Sequence, residues 1–354
     1  MAQQLDNYRL LGRSGLRVAP LALGTMNFGV GQSWGSDAAE AEKIFNLYVE
    51  RGGNSIDTAN FYADGGSERV VAKLVQGRRN RFVIATKYSL TMRPGDPNGS
   101  GNHRKNMIQS VEDSLQRLGT DYIDLLYLHV WDNRTPVEEI LRAFDDLVRA
   151  GKIVYVGLSD TPAWQASRMQ AIAELRGWSP LVALQIPYNL TERTVERDLI
   201  PMAFEMGMGV LPWSPLAGGV LSGKYEQKDL TRASAGAATK FDSRRDINLA
   251  TGRLSERNLA IAAAVKTVAQ EMNCTSAQVA LAWTLLNPAV TSPILGARTV
   301  AQLQDNLGAL DVTFSDSQIA RLNTVSKIDL GFPHEFLASS MQGTMFGGVN
   351  VATR

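Results

Sequence analysis

The stretch SIDTANFYADGGSE (55–68) ends a short apolar run on a carboxylate, Asp57, and places a phenol, Tyr62, five residues later. Two further apolar runs close on groups that could do chemistry. RFVIATK (81–87) ends on Lys87 and YIDLLYLH (122–129) ends on His129. A phenol has an ordinary pKa of ~10, too weak an acid for efficient proton donation near neutrality. An ammonium beside it stabilises the phenolate and lowers that value. Asp57 would pair with Lys87 and keep it in place, while His129 would orient a carbonyl oxygen or share the proton. Such a set donates a proton to an oxygen as negative charge builds there. It suits carbonyl reduction or, in reverse, alcohol oxidation, and it implies a cofactor because none of the four is a hydride source. Taken singly, each has a plainer reading as a turn aspartate, a solvated lysine or a satisfied histidine.

The four residues can meet only if the runs that carry them are neighbours in a sheet, where strands lie ~4.8 Å apart. The pattern supports this. NSID (54–57), RFVIATK (81–87), YIDLLYLH (122–129), KIVYVGLS (152–159), LVALQI (181–186), MGVLPWS (208–214) and VTSPILGAR (290–298) are short apolar runs. Amphipathic stretches separate them. AAEAEKIFNLYVERG (38–52) has Ile44, Leu47 and Tyr48 on one face, and NMIQSVEDSLQRLG (106–119) has Ile108, Val111, Leu115 and Leu118. VEEILRAFDDLVRAGK (137–152) repeats the logic and stops at Gly151. Runs this apolar are buried on both faces, hence parallel. The alternation predicts an α/β chain folded as a (β/α)₈ barrel, opened by a hairpin around Gly12–Gly15 and carrying long loops at its C-terminal face. The long segments are 88–103 and 216–255. One domain spans 1–354, with a core of about 8–328 and a tail, 329–354, expected near the substrate pocket.

Bulk properties narrow the class. The chain has 354 residues, a hydrophobic fraction of 44% and a formal net charge of +1, which argues for a sizeable core and against a nucleic-acid binder. Cys274 is the only cysteine, so no intramolecular disulfide or thiolate cluster forms. MAQQLDNYRL reads as no secretory leader, and no apolar run approaches the ~20 residues of a membrane span. A cytoplasmic protein is the expectation, with oligomeric state left open. GVGQSWG (29–35) lacks the third glycine of a dinucleotide fingerprint. The three histidines, His103, His129 and His334, have no metal-ligand spacing.

Together these segments resemble the aldo-keto reductases, in the bacterial and potassium-channel-β-like branch. The resemblance runs through PLALGTMNFG (20–29), GGNSIDTANFYADGGSE (52–68), FVIATK (82–87), DYIDLLYLH (121–129), GKIVYVGLSD (151–160), LQIPYNL (184–190), LPWSPLAGGVLSGKY (211–225) and LGARTVAQLQDNLGAL (295–310). It implies a barrel that binds NADPH or NADP⁺, with NADH weaker, and a small carbonyl or alcohol substrate. It implies Tyr62 as acid–base, tuned by Asp57 and Lys87, with His129 steering the carbonyl. Ser159, Asp160 and Gln185 then face the nicotinamide amide, and Trp213 stacks on its ring. Ser214, Leu216, Gly218, Gly223 and Lys224 fold over the pyrophosphate. Gly296, Arg298, Gln302 and Asn306 take the 2′-phosphate and adenine. Many members have Asn at the place of Asp160, and an Asp accepts from an amide but does not donate to it. Family barrels also serve as cofactor-binding regulatory subunits with slow turnover, and that alternative stays open beside a metabolic reductase.

Substrate walls are expected outside the four residues: Phe28, Trp34, Phe61, Trp131, and Phe332 with Phe336 of the tail. Aromatic walls favour bulky aromatic or cyclic carbonyls over small, heavily hydroxylated sugars.

Overall fold

Eight parallel strands are hydrogen-bonded in the order β10-β3-β4-β5-β6-β7-β8-β9 in a computed structural model that describes residues 4–29, 35–230, 243–339 and 341–349. The strands are β3 (Ala22–Gly24), β4 (Ser55–Asp57), β5 (Val83–Tyr88), β6 (Ile123–Leu128), β7 (Ile153–Ser159), β8 (Leu181–Pro187), β9 (Gly209–Trp213) and β10 (Ile294–Leu295). Helices follow them on the outside: α1 (Ala38–Glu50), α2 (Gly66–Val75), α3 (Arg104–Leu118), α4 (Val137–Arg149), α5 (Ala163–Arg176) and α6 (Leu199–Glu205). Three more precede β10, namely α7 (Arg244–Ala250), α8 (Glu256–Glu271) and α9 (Ser276–Thr284). After β10 come α10 (Val300–Leu307) and α11 (Asp316–Val325). The ring closes where Val210 N–H donates to Ala289 O at 3.0 Å and Thr291 N–H to Val210 O at 2.8 Å. This is the (β/α)₈ barrel that the alternation predicts. No described helix is long and apolar enough to cross a membrane.

The period-2 rule sorts each strand into an inner and an outer set. Val83, Ala85, Leu125, Tyr127, Ala183 and Leu211 form one cluster inside the barrel, whereas Ile84, Leu126, Leu158, Leu184 and Val210 pack outward under the helices. The predicted hairpin, β1 (Arg9–Leu10) and β2 (Arg17–Val18), is antiparallel, and its Leu11 and Val18 plug the N-terminal end of the inner cluster. Gly12, at φ +55°, lies so close to the barrel that a Cβ there would stand 2.5 Å from the Gly207 and Val182 carbonyls. Inside, Tyr127 fills the space that Gly157 vacates on the next strand. A Cβ at Gly157 would stand 2.5 Å from that ring.

Element ends shift by small amounts. The run 290–298 pairs regularly only over Ile294–Leu295, because Pro293 has no N–H to give a ladder. The third helix begins at Arg104, where His103 caps it, and its buried face is centred on Met107, Val111, Leu115 and Leu118. Ile108 and Leu47, both expected on buried faces, are only half-buried. Phe45 takes the inner place on α1.

Gly157→Ala should cost about 1–3 kcal/mol through overpacking against Tyr127. Urea denaturation of Gly157→Ala and of Gly157→Ala with Tyr127→Leu checks this. The second change should recover part of the loss, and equal midpoints for both variants would contradict the steric account.

Candidate active site

The inner faces of β4 to β9 end, at the C-terminal rim, on Asp57, Lys87, His129, Ser159, Gln185 and Trp213. Asp57, Lys87, Ser159 and Gln185 are buried, while His129 and Trp213 are partly exposed. Strand pairing places Lys87 beside Tyr127, two residues before His129, and Ser159 beside Gln185. Lys87 has no exposed surface. Its ammonium donates to Asp57 Oδ1 at 2.6 Å, to the Thr58 carbonyl at 2.8 Å and to the Tyr62 hydroxyl oxygen at 3.3 Å. An ammonium has three protons and accepts nothing, so its donors are fully used. The Tyr62 oxygen therefore receives a hydrogen bond from Lys87, and its own proton is left to point elsewhere. Asp57 Oδ2 accepts from Gln185 Nε2 at 2.8 Å, a bond that crosses the barrel from β8 to β4. The His129 ring stands edge-on to the Tyr62 ring, with centroids 5.9 Å apart.

Burial dominates the electrostatics here. It works to lower the Lys87 value, but the Asp57 carboxylate and Tyr62 outweigh it, so the ammonium is held above its ordinary range. Burial raises the Tyr62 phenol, and the Lys87 charge opposes that rise without cancelling it. Lys87 acts in the direction expected from sequence, but in this structure desolvation is the larger effect, so the phenol stays protonated at neutral pH. His129 is pushed down to about 3, first by burial and then by the Lys87 charge. It is a neutral imidazole at neutral pH, able to donate one N–H to an oxygen but not to supply a proton. The arrangement can hold a carbonyl oxygen between two hydrogen-bond donors, one of which can transfer its proton.

Tyr62 sits on a backbone turn of unusual shape. Ala63 and Asp64 are left-handed at φ 52° and 51°, and Gly65 follows at φ 79°. Left-handed non-glycine residues cost roughly 1–2 kcal/mol each, so the surrounding contacts must over-determine the turn.

The rim continues toward a larger group. Asp160, left-handed at φ 42°, accepts from Trp213 Nε1 at 3.1 Å. Burial in the cleft raises its carboxyl, against the pull of that bond and of the Lys87 charge. Beyond β9 the chain turns through left-handed residues at Ser214, Ala217, Gly218, Gly219 and Gly223. Leu216 anchors this segment on the core. A Cβ at Gly218 would stand 2.3 Å from Asn248 Oδ1, and one at Gly219 would stand 2.7 Å from Lys224 Nζ. Lys224 is lowered by burial and then by the charges of Arg298 and Arg244. Cations that depress one another in this way form a site for an anion. Gln302 Oε1 accepts from Arg298 N–H at 2.9 Å, and Glu40 Oε1 takes Val300 N–H at 2.8 Å. The α10 N-terminus thus has carboxylate and amide acceptors already, leaving the exposed Arg298 side chain as its cationic group. Gly296 is exposed beside it and Asn306 is buried. A turned backbone of this kind beside clustered cations fits a phosphate-bearing nucleotide cofactor.

The structure adds residues that the sequence did not single out. Arg244 and Asn248 lie on α7, and Arg253 lies just after it with its guanidinium 5.6 Å from the Trp213 ring centroid. All three fall in the long excursion 216–255, which has no period to reveal its fold. The expected substrate walls divide. Phe61 is exposed beside Tyr62, and Trp131 is half-buried against the core. Phe28 is corrected: it is fully buried in the core, with no surface for a ligand. Trp34 lies outside the described residues. Phe332 and Phe336 lie against each other with tilted rings, centroids 6.0 Å apart, and are exposed, on a tail tied to the start of α6 by His334–Asp198 and Arg197–Asp329.

Comparison with known proteins points to one family. Residues 20–327 match the model described as Aldo/keto reductase family. The chain is 36% identical to a norsolorinic acid reductase of Aspergillus flavus, over 94% of this chain and 84% of the relative. It is 36% identical to an aryl-alcohol dehydrogenase [NADP(+)] of Phanerodontia chrysosporium, over 90% and 86%. It is 38% identical to the uncharacterized oxidoreductase YrpG of Bacillus subtilis, over 90% and 95%.

The depressed His129 value makes stability pH-dependent. Its folded value lies below the unfolded 6.5, so the unfolded chain binds the proton first and stability falls as pH drops from about 6.5 towards 3. The slope is at most ~1.4 kcal/mol per pH unit. His129→Gln should lose less stability than wild type between pH 7 and pH 5, measured as urea midpoints. Parallel losses would place the acid sensitivity elsewhere.

Proposed function

The chain belongs to the aldo/keto reductase family, and from that premise we propose that it is an NADP(H)-dependent oxidoreductase. It reduces an aldehyde or ketone to the alcohol, and runs the reverse, with Tyr62 as general acid and base. The observation that carries this reading is the saturation of Lys87. All its protons are engaged, one of them on the Tyr62 oxygen, so the phenol proton is free to be aimed at a substrate oxygen. The nicotinamide, when bound, supplies a hydride to the carbonyl carbon.

In the proposed mechanism the protein does the rest. Tyr62 and the neutral His129 hold the carbonyl oxygen. As negative charge grows there, Tyr62 gives up its proton, and Lys87 stabilises the phenolate that remains. Asp57 keeps the ammonium charged and in place, and Gln185 fixes Asp57 from across the barrel. In the oxidation direction the same phenolate takes the alcohol proton. Ser159, Asp160 and Gln185 are proposed to face the nicotinamide amide, and Trp213 its ring. Ser214, Leu216, Gly218, Gly223 and Lys224 are proposed to hold the pyrophosphate. Gly296, Arg298, Gln302 and Asn306 are proposed at the adenine end.

The substrate class is read as aromatic or otherwise bulky carbonyls. Phe61 and Trp131 flank the catalytic strand ends, and one relative is named for aryl alcohols. Phe332 and Phe336 are proposed to close over the larger ligands, a reading supported by their exposure and by the tail's ties to Arg197 and Asp198 before α6.

Tyr62→Phe should lower kcat by the ~10²–10⁴-fold typical of losing a general acid, with NADPH affinity unchanged. Steady-state reduction of an aromatic aldehyde, with multiple turnovers counted against NADPH consumed, checks this and separates a reductase from a slow cofactor-binding subunit. Wild-type kcat in the variant would remove Tyr62 from the mechanism.

Arg298→Ala should weaken NADPH roughly ten- to hundred-fold and NADH little, because a charge-assisted hydrogen bond to a 2′-phosphate contributes ~1.5–3 kcal/mol. Fluorescence titration of both cofactors decides it. Equal wild-type affinities for NADPH and NADH would overturn the preference.

A further inference from the structure

The Tyr62 turn is held from behind by two buried groups on α2 that take no part in the chemistry above. Glu68 has no exposed surface. Its Oε1 accepts from Thr86 Oγ1 at 2.6 Å, and its Oε2 from Arg117 Nε at 2.5 Å. Thr86 immediately precedes Lys87 on β5, with its side chain on the opposite face of the strand. Glu68 therefore ties the helix that follows Tyr62 directly to the strand that carries Lys87. Arg117, from α3, passes under the turn. A Cβ at Gly65 would stand 2.5 Å from Arg117 Cδ.

Ser67, next to Glu68 and also fully buried, makes the second tie. Its Oγ donates to the Thr25 carbonyl at 2.8 Å and lies 2.9 Å from Thr58 Oγ1 and 2.8 Å from Thr25 Oγ1. Thr25 Oγ1 donates in turn to the Asp57 carbonyl at 2.9 Å. The start of α2 is thus bonded on one side to the strand of Lys87 and on the other to the strand end of Asp57. Between Tyr62 and these ties sit three left-handed residues, Ala63, Asp64 and Gly65, and the two that are not glycine hold a conformation the chain would not adopt unaided.

We propose that Glu68 and Ser67 are positioning residues that clamp the Tyr62 turn against Lys87 and thereby set the 3.3 Å contact on which proton transfer depends. The clamp acts through Thr86, Arg117, Thr25 and Thr58 and touches neither substrate nor cofactor. The inference rests on the reading of Tyr62 as the acid–base. Its specific content is that loosening α2 harms the proton step, and not binding. Misplacement by about 1 Å costs a reaction on the order of 10²-fold.

The test uses Glu68→Gln, Thr86→Val and Ser67→Ala in the full chain, with Tyr62→Phe alongside. The groups facing the Tyr62 phenol are Lys87 from β5, Asp57 from β4, His129 just after β6 and Asp160 after β7. With these unchanged, moving the phenol away from Lys87 raises its value. Each clamp variant should lose kcat by about 10- to 100-fold for carbonyl reduction, with KM and NADPH affinity near wild type. The alkaline limb of the kcat–pH profile should move to higher pH. Arg117→Lys, which keeps the charge, should retain more activity than Arg117→Met. If Glu68→Gln does not fold, Thr86→Val, which keeps the side-chain shape, decides the matter. Wild-type kcat and an unmoved alkaline limb in clamp variants, with Tyr62→Phe inactive, would overturn the clamp alone. A fully active Tyr62→Phe would instead remove the acid–base reading on which it stands.

Discussion

A lysine ammonium without any exposed surface is the constraint around which the rest of this structure is arranged. Burying a charge costs several kcal/mol unless it is paired and every proton is bonded. Here Asp57 supplies the countercharge, and Thr58 and Tyr62 take the remaining protons. Asp57 in turn needs a donor for its second oxygen, and Gln185 provides it from the far side of the barrel. A charge on β5 thus enlists residues on β4, β8 and the loop after β4. The network exists only because the sheet closes on itself and brings opposite strands within side-chain reach.

The same burial fits the proposed chemical roles. His129 and Tyr62 stand side by side, each only partly exposed, and burial drives their values apart, the imidazole down and the phenol up. Histidine, the residue that ordinarily titrates near neutrality, is thereby kept neutral, which suits the orienting role proposed for it. In the proposed mechanism tyrosine, ordinarily a poor acid, keeps its proton until charge builds on the substrate, and the adjacent ammonium then favours its release.

The end of the cleft proposed for the cofactor follows a different principle. It is built from backbone curvature and converging cations on the excursion between β9 and α8. The left-handed residues from Ser214 to Gly223 bend the chain tightly, and Lys224, Arg244 and Arg298 share one electrostatic neighbourhood. Glu40 and Gln302 already occupy donors at the α10 terminus, so an anion there depends on side-chain cations more than on the helix itself.

The amino-acid sequence by itself determined the alternation of elements, and through it the barrel. Apolar runs buried on both faces and amphipathic stretches between them are local patterns, legible wherever side-chain periodicity matches backbone geometry. It also marked Asp57, Tyr62, Lys87 and His129, because each lies at or just beyond a run whose inward parity can be counted. Tertiary structure alone decided what parity and spacing do not encode. Phe28 looked like a cleft residue and is core, with no exposed surface. Gln185 is bonded to Asp57, since barrel closure, not sequence distance, makes them neighbours. Arg244 acts on Lys224 and Arg253 lies over the Trp213 ring, neighbours that no periodicity in the sequence foretells. The net rise of the Tyr62 phenol depends on the depth of burial as much as on the neighbouring lysine. Solvent exclusion is a property of the assembled barrel, summed over all the strands around the residue, and no stretch of sequence carries it alone.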